Sequence, residues 1–514
     1  MSKKDNNKIR PDKNCLLMGI DLGTSTIKVG IFDLEGRELT YQAMEYNLIY
    51  PGKELVENDV EKYWEALTLL IKKALDHIGS LKLKIIALSL SSQGETIVPI
   101  DSNIRPLRNA IVWLDGRSGK QAKEIASHFP EEEMYKITGQ PISDPTWPAS
   151  RIKWLKDNEP DIFEKTYKFL LIEDFIIYKL TGKLYSETTA YNSSYYFDIN
   201  TRDFYKPMLD YLGLGRDKFP EIKSTGTVIG NICKEASEET GLDRNIKFVL
   251  GAMDQLAGAI GAGNIKEGIV TETTGSVFCM TTTTDELIFD YDHKVPCYLH
   301  GIKDKYCLLP YSMTGGMVLK WFKENFYKNE EDQVGEEIFN LMAGEAEMVN
   351  AGSDGLIMIP HISGAFIPEN NPDARGVFYG IGINHTRAHF VRAIMESIGF
   401  MMRNDIGLLN NLDIEVKKII SMGGGAKSRL WNQIKADITG IEINVPENTE
   451  TAVLGAAMIA GVGIGSYSSF DEAVKRTVRI KDKYTPDKDI RDIYDENFLK
   501  YNDLYKKLED TFKK

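Results

Sequence analysis

The chain has 514 residues, of which 42% are hydrophobic, enough for two large domains with proper cores. Its 62 basic and 75 acidic residues leave a net charge of −13, which argues against a nucleic-acid or anionic-membrane surface while permitting a local basic pocket for phosphates. Five cysteines, Cys15, Cys233, Cys279, Cys297 and Cys307, are scattered without CxxC spacing and read as free thiols of a reducing cytoplasm. Residues 1–13 are polar, lack the apolar stretch of a secretory signal and are expected to be a disordered lead. The longest mostly apolar run, 452–464, is too short and glycine-rich to span a bilayer.

In chain order, 18–33 reads MGIDLGTSTIKVGIFD, a strand, a hydroxyl-rich turn and a second strand. The first strand delivers Asp21. The turn offers Gly23, Thr24, Ser25 and Thr26, with Lys28 two residues on. Small residues with hydroxyls and backbone N–H groups suit a phosphate clamp, and a carboxylate beside them suits magnesium; an ordinary polar hairpin has the same composition. The pattern is neither a Walker A loop nor a GxGxxG fingerprint. Apolar residues at Val60, Trp64, Leu67, Ile71, Leu75 and Ile78 predict an amphipathic helix over 59–78. A buried strand over 85–90 then runs into Ser91-Ser92-Gln93-Gly94-Glu95-Thr96, and strand character resumes at 97–100 and 110–113, before Leu114-Asp115-Gly116-Arg117. Polar clusters at the ends of buried strands are where α/β proteins usually place ligands.

Residues 120–215 read as mostly helical. A short strand at 248–251 delivers Ala252-Met253-Asp254-Gln255, and a helix of glycine and alanine over 257–263 suggests a domain boundary near Gly263. The second half repeats the opening theme at 268–284, where a strand carries Thr273-Thr274-Gly275-Ser276. A helix is predicted over 387–409. A strand at 419–422 runs into Gly423-Gly424-Gly425-Ala426 before a helix over 428–439. Phe498, Tyr501, Tyr505, Leu508 and Phe512 fall on one face of a terminal helix packed on the body.

Together MGIDLGTSTIKVGIFD, AIVWLDGR, GAMDQ, ETTGS, NNPDARGVFYG, SMGGGAKSRLWNQIKADITG and ETAVLGAAMIAGVGIG, in this order, resemble the FGGY family of carbohydrate kinases over most of the chain. The resemblance implies an α/β fold of two actin-like (ribonuclease-H-like) domains with a ligand cleft between them. Expected bounds are 14–262 for the domain holding the sugar site and catalytic base, 263–474 for the nucleotide domain, and 475–514 for a helical tail. It implies a cytoplasmic enzyme using ATP and Mg2+, with no nucleic-acid or membrane partner. Relatives are often dimers or tetramers, so the resemblance is compatible with a homodimer while the sequence itself does not give the oligomeric state.

Residue by residue, Asp254 matches the catalytic base of GAMDQ, although an aspartate there also suits a helix start. Asp21 is expected to direct magnesium, with Asp254 beside it. Thr24 and Ser25 are expected at the γ-phosphate from the first domain and Thr274 with Gly275 from the second, with Thr273 standing where the family usually has glycine. Gly316 is expected near the phosphates, and Gly424, Gly425, Ala426 and Ser428 at the adenosine, with Asn432 within reach; capping the helix is the other reading of Ser428. The acceptor sugar is expected among Gln93, Gly94, Glu95, Asp115, Asp254 and Gln255, with Thr146 and Trp147 along its carbon skeleton; Trp147 also fits simple packing. Xylulokinase-like members usually have Met-His at positions 94 and 95, and glycerol-kinase-like members Arg-Glu. This chain has Gly-Glu, which is expected to enlarge the pocket. The DGR at 115–117 and the NNPDARGVFYG loop are closer to pentulose kinases. They favour a ketopentose such as xylulose, ahead of a polyol such as glycerol or erythritol and of an actin-like nucleotide-switched scaffold.

Overall fold

The computed structural model describes residues 15–330 and 337–513; the lead expected over 1–13 lies outside them, as does Lys514. The chain forms two compact units. One comprises the chain up to Ile265 with Pro296–Cys307 and Glu450–Val478, and the other Lys266–Val295, Leu308–Thr449 and the residues from Arg479 onward. We number the elements that build the two main sheets and the helices that carry the argument. They begin with β1 (Leu16–Leu22), β2 (Thr26–Asp33), β3 (Glu38–Glu45), α1 (Val60–Ile78), β4 (Ile85–Ser92) and α2 (Pro148–Asn158). Next come β5 (Val228–Asn231), β6 (Lys247–Met253), α3 (Asp254–Ala262), β7 (Ile269–Thr274), β8 (Phe278–Thr284) and α4 (Arg387–Asn411). The chain ends with β9 (Lys418–Met422), α5 (Arg429–Thr439), β10 (Ile443–Pro446), α6 (Thr451–Gly463), β11 (Ile480–Tyr484) and α7 (Arg491–Phe512).

The first unit's main sheet has the order β5-β6-β4-β1-β2-β3. β1 and β2 form the expected hairpin, Leu22 opposite Ile27, while β4 runs parallel to both β1 and β6. Helix α1 begins at its cap Asp59, whose carboxylate accepts the Glu61 N–H, and it buries the predicted stripe from Val60 to Ile78. That stripe joins the apolar face of the sheet in one core. Between 120 and 215 the helices are short and interrupted by small strands.

Within the second unit the order β8-β7-β9-β10-β11 repeats the plan: a hairpin, two strands parallel to its first member, and an antiparallel edge. The helix expected over 387–409 is α4. Tail helix α7 buries Tyr494 and Tyr501, and Phe400 of α4 packs on both of them and on Phe498. The tail is not wholly helical as expected over 475–514, because β11 pairs with β10 there.

The expected contiguous second domain over 263–474 is corrected by α6. This helix is apolar on nearly every side and packs on α3 and on β1, β4 and β6 of the first unit, because a helix without a polar face is stable only when buried all round. Glycines make the fit. A Cβ added at Gly455 would lie 1.9 Å from the Ala257 carbonyl oxygen, one at Gly261 1.9 Å from that of Thr451, and one at Gly19 1.9 Å from that of Val453. The backbones therefore touch directly.

Gly455→Ala should lower the urea midpoint by an amount equivalent to about 1–3 kcal/mol, the usual cost of overpacking. Gly344→Ala, where an added Cβ meets nothing within 4 Å, is the control. Equal midpoints for the two variants would contradict the backbone contact.

Candidate active site

The first unit gathers its acids at the C-terminal ends of parallel strands. In the β1/β4 register Asp21 stands opposite Ser91, and in the β6/β4 register Met253 stands opposite Ser92. Asp254 therefore opens α3 at the same sheet edge where Asp21 ends β1. Asp21 is buried and accepts from the Ser91 hydroxyl at 3.2 Å. Lys28 Nζ lies 3.6 Å from Asp21 Oδ2 and 2.8 Å from Glu450 Oε2. Burial raises the Asp21 carboxyl and Lys28 pulls it back. The Asp254 carboxyl is pushed up to about 7 by burial, then by the charge of Asp21 and by that of Glu95, against the pull of the Gln255 N–H it accepts at 2.6 Å. Glu95 is likewise pushed up to about 7 by burial, with Ser193 and Arg151 pulling down. Asp254 thus lies within electrostatic reach of two other carboxyls, Asp21 and Glu95, and of the Lys28 cation. Gln255 is half-buried.

The turn between β1 and β2 is closed by the Gly23 N–H donating to the Thr26 carbonyl at 3.1 Å. Ser25 is exposed and Thr24 half-buried. Thr24 Oγ1 accepts the Trp113 indole N–H at 2.8 Å. Arg151 of α2 is fully buried and donates to the Glu95 carbonyl at 2.7 Å and to the Trp113 carbonyl. It ties together the loop holding Glu95, whose φ is +57°, and the loop touching the phosphate turn. Neither residue stood out in the sequence: Trp113 closes an apolar run, and Arg151 falls in a helix rich in surface charge.

Several expected sugar contacts have structural work instead. Asp115 Oδ1 accepts the Arg117 N–H and Nε, and Oδ2 accepts the Val56 N–H and Arg117 Nη2. A carboxylate has about four acceptor positions, so this one is saturated by Arg117 of its own loop and by the backbone at Val56. Gln93 is buried and accepts from the Thr96 hydroxyl at 3.2 Å. Trp147 is 5% exposed and its indole donates to the Ile142 carbonyl at 2.7 Å, which makes it a packing residue. Thr146 is half-buried, its N–H on Asp144. The enlarged pocket expected at Gly94 is not there: an added Cβ would lie 3.3 Å from Ser193 Oγ and 3.5 Å from Met253 Sδ, so those side chains fill the space.

In the second unit β7 and β8 make the echoed hairpin. Thr273 lies in regular strand pairing with Cys279 and Met422. The hydroxyl of Thr274, expected with Gly275 at the γ-phosphate, donates to Glu272 Oε2 at 2.8 Å and accepts from Lys435 Nζ at 3.0 Å. Lys435 and Glu272 are fully buried and paired at 2.6 Å. The Gly275 N–H is also used, by the Val277 carbonyl at 3.0 Å, and the Gly275 carbonyl accepts the Gly316 N–H at 2.7 Å. A Cβ at Gly316 would sit 2.6 Å from that carbonyl, and one at Gly425 2.7 Å from Thr274 Cβ, so both glycines serve close packing. Gly424 is exposed and Ala426 buried. Ser428 caps α5 through the Trp431 N–H, and Asn432 is buried against the Ala426 carbonyl at 2.7 Å.

Comparison with known proteins agrees with this geometry. The model of the FGGY family of carbohydrate kinases, N-terminal domain, matches residues 16–261, and that of the C-terminal domain matches residues 273–464. A xylulose kinase of Staphylococcus epidermidis is 28% identical over 493 residues, 96% of each chain. A gluconokinase of Bacillus subtilis is 28% identical over 478 residues, 92% of each. The crystal structure of ligand-bound xylulose kinase from Lactobacillus acidophilus has a TM-score of 0.88 at 26% identity, covering 96% of this chain and 98% of that one. The chain belongs to the FGGY family of carbohydrate kinases. It is a sugar kinase with two domains of the actin-like, ribonuclease-H-like class.

The buried acids set a pH dependence of stability. Glu95, Asp174, Glu187, Asp254 and Glu369 are all pushed up to about 7, first of all by burial. Such groups bind protons more tightly folded than unfolded, so their contribution is full below about pH 4 and is lost as pH rises through about 7. His300 and His361, lowered to about 4 by burial, act in the opposite sense, but between about 4 and 6.5. The urea midpoint should therefore be lower at pH 8 than at pH 6. A rise across that interval would contradict the burial of these acids.

Proposed function

We propose that this sugar kinase transfers the γ-phosphoryl group of ATP to a hydroxyl of a ketopentose such as xylulose, in the cytoplasm, with Asp254 as the general base. The observation that carries the reading is Asp254 itself: a carboxyl raised to about 7, opening a helix at the edge where Asp21 ends its strand. A base matched to neutral pH is what proton abstraction from an alcohol needs. Asp254 takes the hydroxyl proton, the freed oxygen bonds to the γ-phosphorus, and the bond from that phosphorus to the ADP oxygen breaks.

The residues fit a magnesium ion. The charge of Asp21 raises the proton affinity of Asp254, a repulsion that a divalent cation relieves. Among the described residues no group of three His, Cys, Asp or Glu side chains could hold a metal, which suits an ion that keeps much of its water and takes one or two carboxylates plus phosphate oxygens. When bound, it neutralises charge on the phosphates. Ser25 and Thr24, with the small residues Gly23 and Thr26 and the cation of Lys28, support a phosphate-binding turn. In the second unit Gly424, exposed and without a side chain, supports a backbone surface for the adenosine.

For the acceptor, Glu95 and Gln255 remain as groups able to bind vicinal hydroxyls. The excess of carboxyls over cations around Asp254 favours a neutral polyhydroxyl compound over an anion such as gluconate. Glycerol or erythritol is the second reading, favoured by the glutamate at position 95. ADP release should be fastest with xylulose among xylulose, gluconate, glycerol and erythritol; faster turnover of gluconate would overturn the charge argument. Asp254→Asn should keep ATP binding and lose about a hundredfold or more in kcat. Wild-type kcat should fall about tenfold per pH unit once the base takes up its proton, at a pH that bound magnesium lowers from the value of about 7 in the metal-free site. Near-normal turnover by Asp254→Asn would refute the assignment.

A further inference from the structure

The segment after residue 187 makes contacts that the reading above does not use. Glu187 is fully buried and accepts four hydrogen bonds. Its Oε1 takes the Thr189 hydroxyl at 2.7 Å and the Ala190 N–H at 2.6 Å, and its Oε2 takes the Thr189 N–H at 2.6 Å and the Thr225 hydroxyl at 3.2 Å. Filling all its acceptor positions fixes the direction of the Thr189 hydroxyl, which must donate toward Glu187. Its lone pair is then left for the Met253 N–H, which donates to Thr189 Oγ1 at 2.8 Å. Met253 is the last residue of β6 and the cap position of α3, and its own side chain makes no capping bond. Asp254 is the next residue.

We infer that Thr189, oriented by Glu187, is a positioning residue for Asp254: its hydroxyl anchors the strand-to-helix corner from which the base projects. The inference rests on the assignment of Asp254 as base. Thr189 is fully buried. It acts by holding the peptide N–H one residue before the reacting carboxyl. A buried N–H left without an acceptor is costly, so the corner relaxes when the hydroxyl is removed. Glu187 has Glu173 and Asp174 as acidic neighbours in the same dry interior, and neither Glu173 oxygen has a hydrogen-bond partner. Thr189, itself fully buried, keeps its acceptor face toward Met253 away from bulk water.

The test uses the full chain with ATP and whichever of xylulose, gluconate, glycerol and erythritol the wild type phosphorylates. Thr189→Val keeps the shape and removes the hydroxyl; Thr189→Ser restores it. The expected result for Thr189→Val is a kcat lower by about tenfold or more, with KM for ATP unchanged. Thr189→Ser should recover the wild-type kcat. A wild-type kcat in Thr189→Val overturns the inference. So does a loss of kcat that follows the thermal midpoint and that Thr189→Ser does not repair. Asp254→Asn separates the two levels: if it is inactive while Thr189→Val is normal, only the positioning role fails, whereas turnover by Asp254→Asn defeats the base assignment and the inference with it.

Discussion

The parallel register of β1, β4 and β6 is the constraint on which the first unit depends. With Asp21 opposite Ser91 and Met253 opposite Ser92, three chain segments distant in sequence leave the sheet at one edge. Each takes a different course there: a tight hairpin, a loop carrying Glu95, and a helix opening with Asp254. A slip of one residue in any pairing would turn the corresponding acid toward the opposite face. The apolar interiors of these strands are thus what place the polar residues at their ends.

The polar loops are held by interactions that leave little for a ligand. Arg151 is spent on two carbonyls, Asp115 on Arg117 and the Val56 N–H, Thr274 on Glu272 and Lys435. A buried charge is tolerable only when such partners are complete. Each of these residue types is also a common ligand contact, so residue type alone does not separate framework from site. What does separate them is saturation: Asp115 has no acceptor left, whereas Asp21, Asp254 and Glu95 carry proton affinities raised first of all by burial, which their partners only partly offset.

The sequence made the local elements legible wherever periodicity was strong. α1 shows its stripe and its cap Asp59, and both glycine-hydroxyl turns stand out because few residues fit tight hairpins. The family resemblance then covered the order of motifs. What could not be read were long-range contacts of ordinary residues. Trp113 and Thr24 are far apart in the chain, Arg151 looks like any helical arginine, and the space at Gly94 is filled by Ser193 and Met253, which no local pattern announces. The domain limits failed for the same reason. The run containing α6 is continuous in sequence with the elements before it, and only the glycine faces of α3 and α6 reveal which sheet it joins.

That capture of α6 has a consequence for biosynthesis. Domains made early in a chain generally acquire structure while the remainder is still being translated. Here the face of the β1, β4 and β6 sheet opposite α1 lacks its covering helix until residues 451–463 have left the ribosome. Its apolar strands must spend the intervening elongation time uncovered or shielded by a chaperone, and a fragment ending at Ile265 would retain that exposed face permanently.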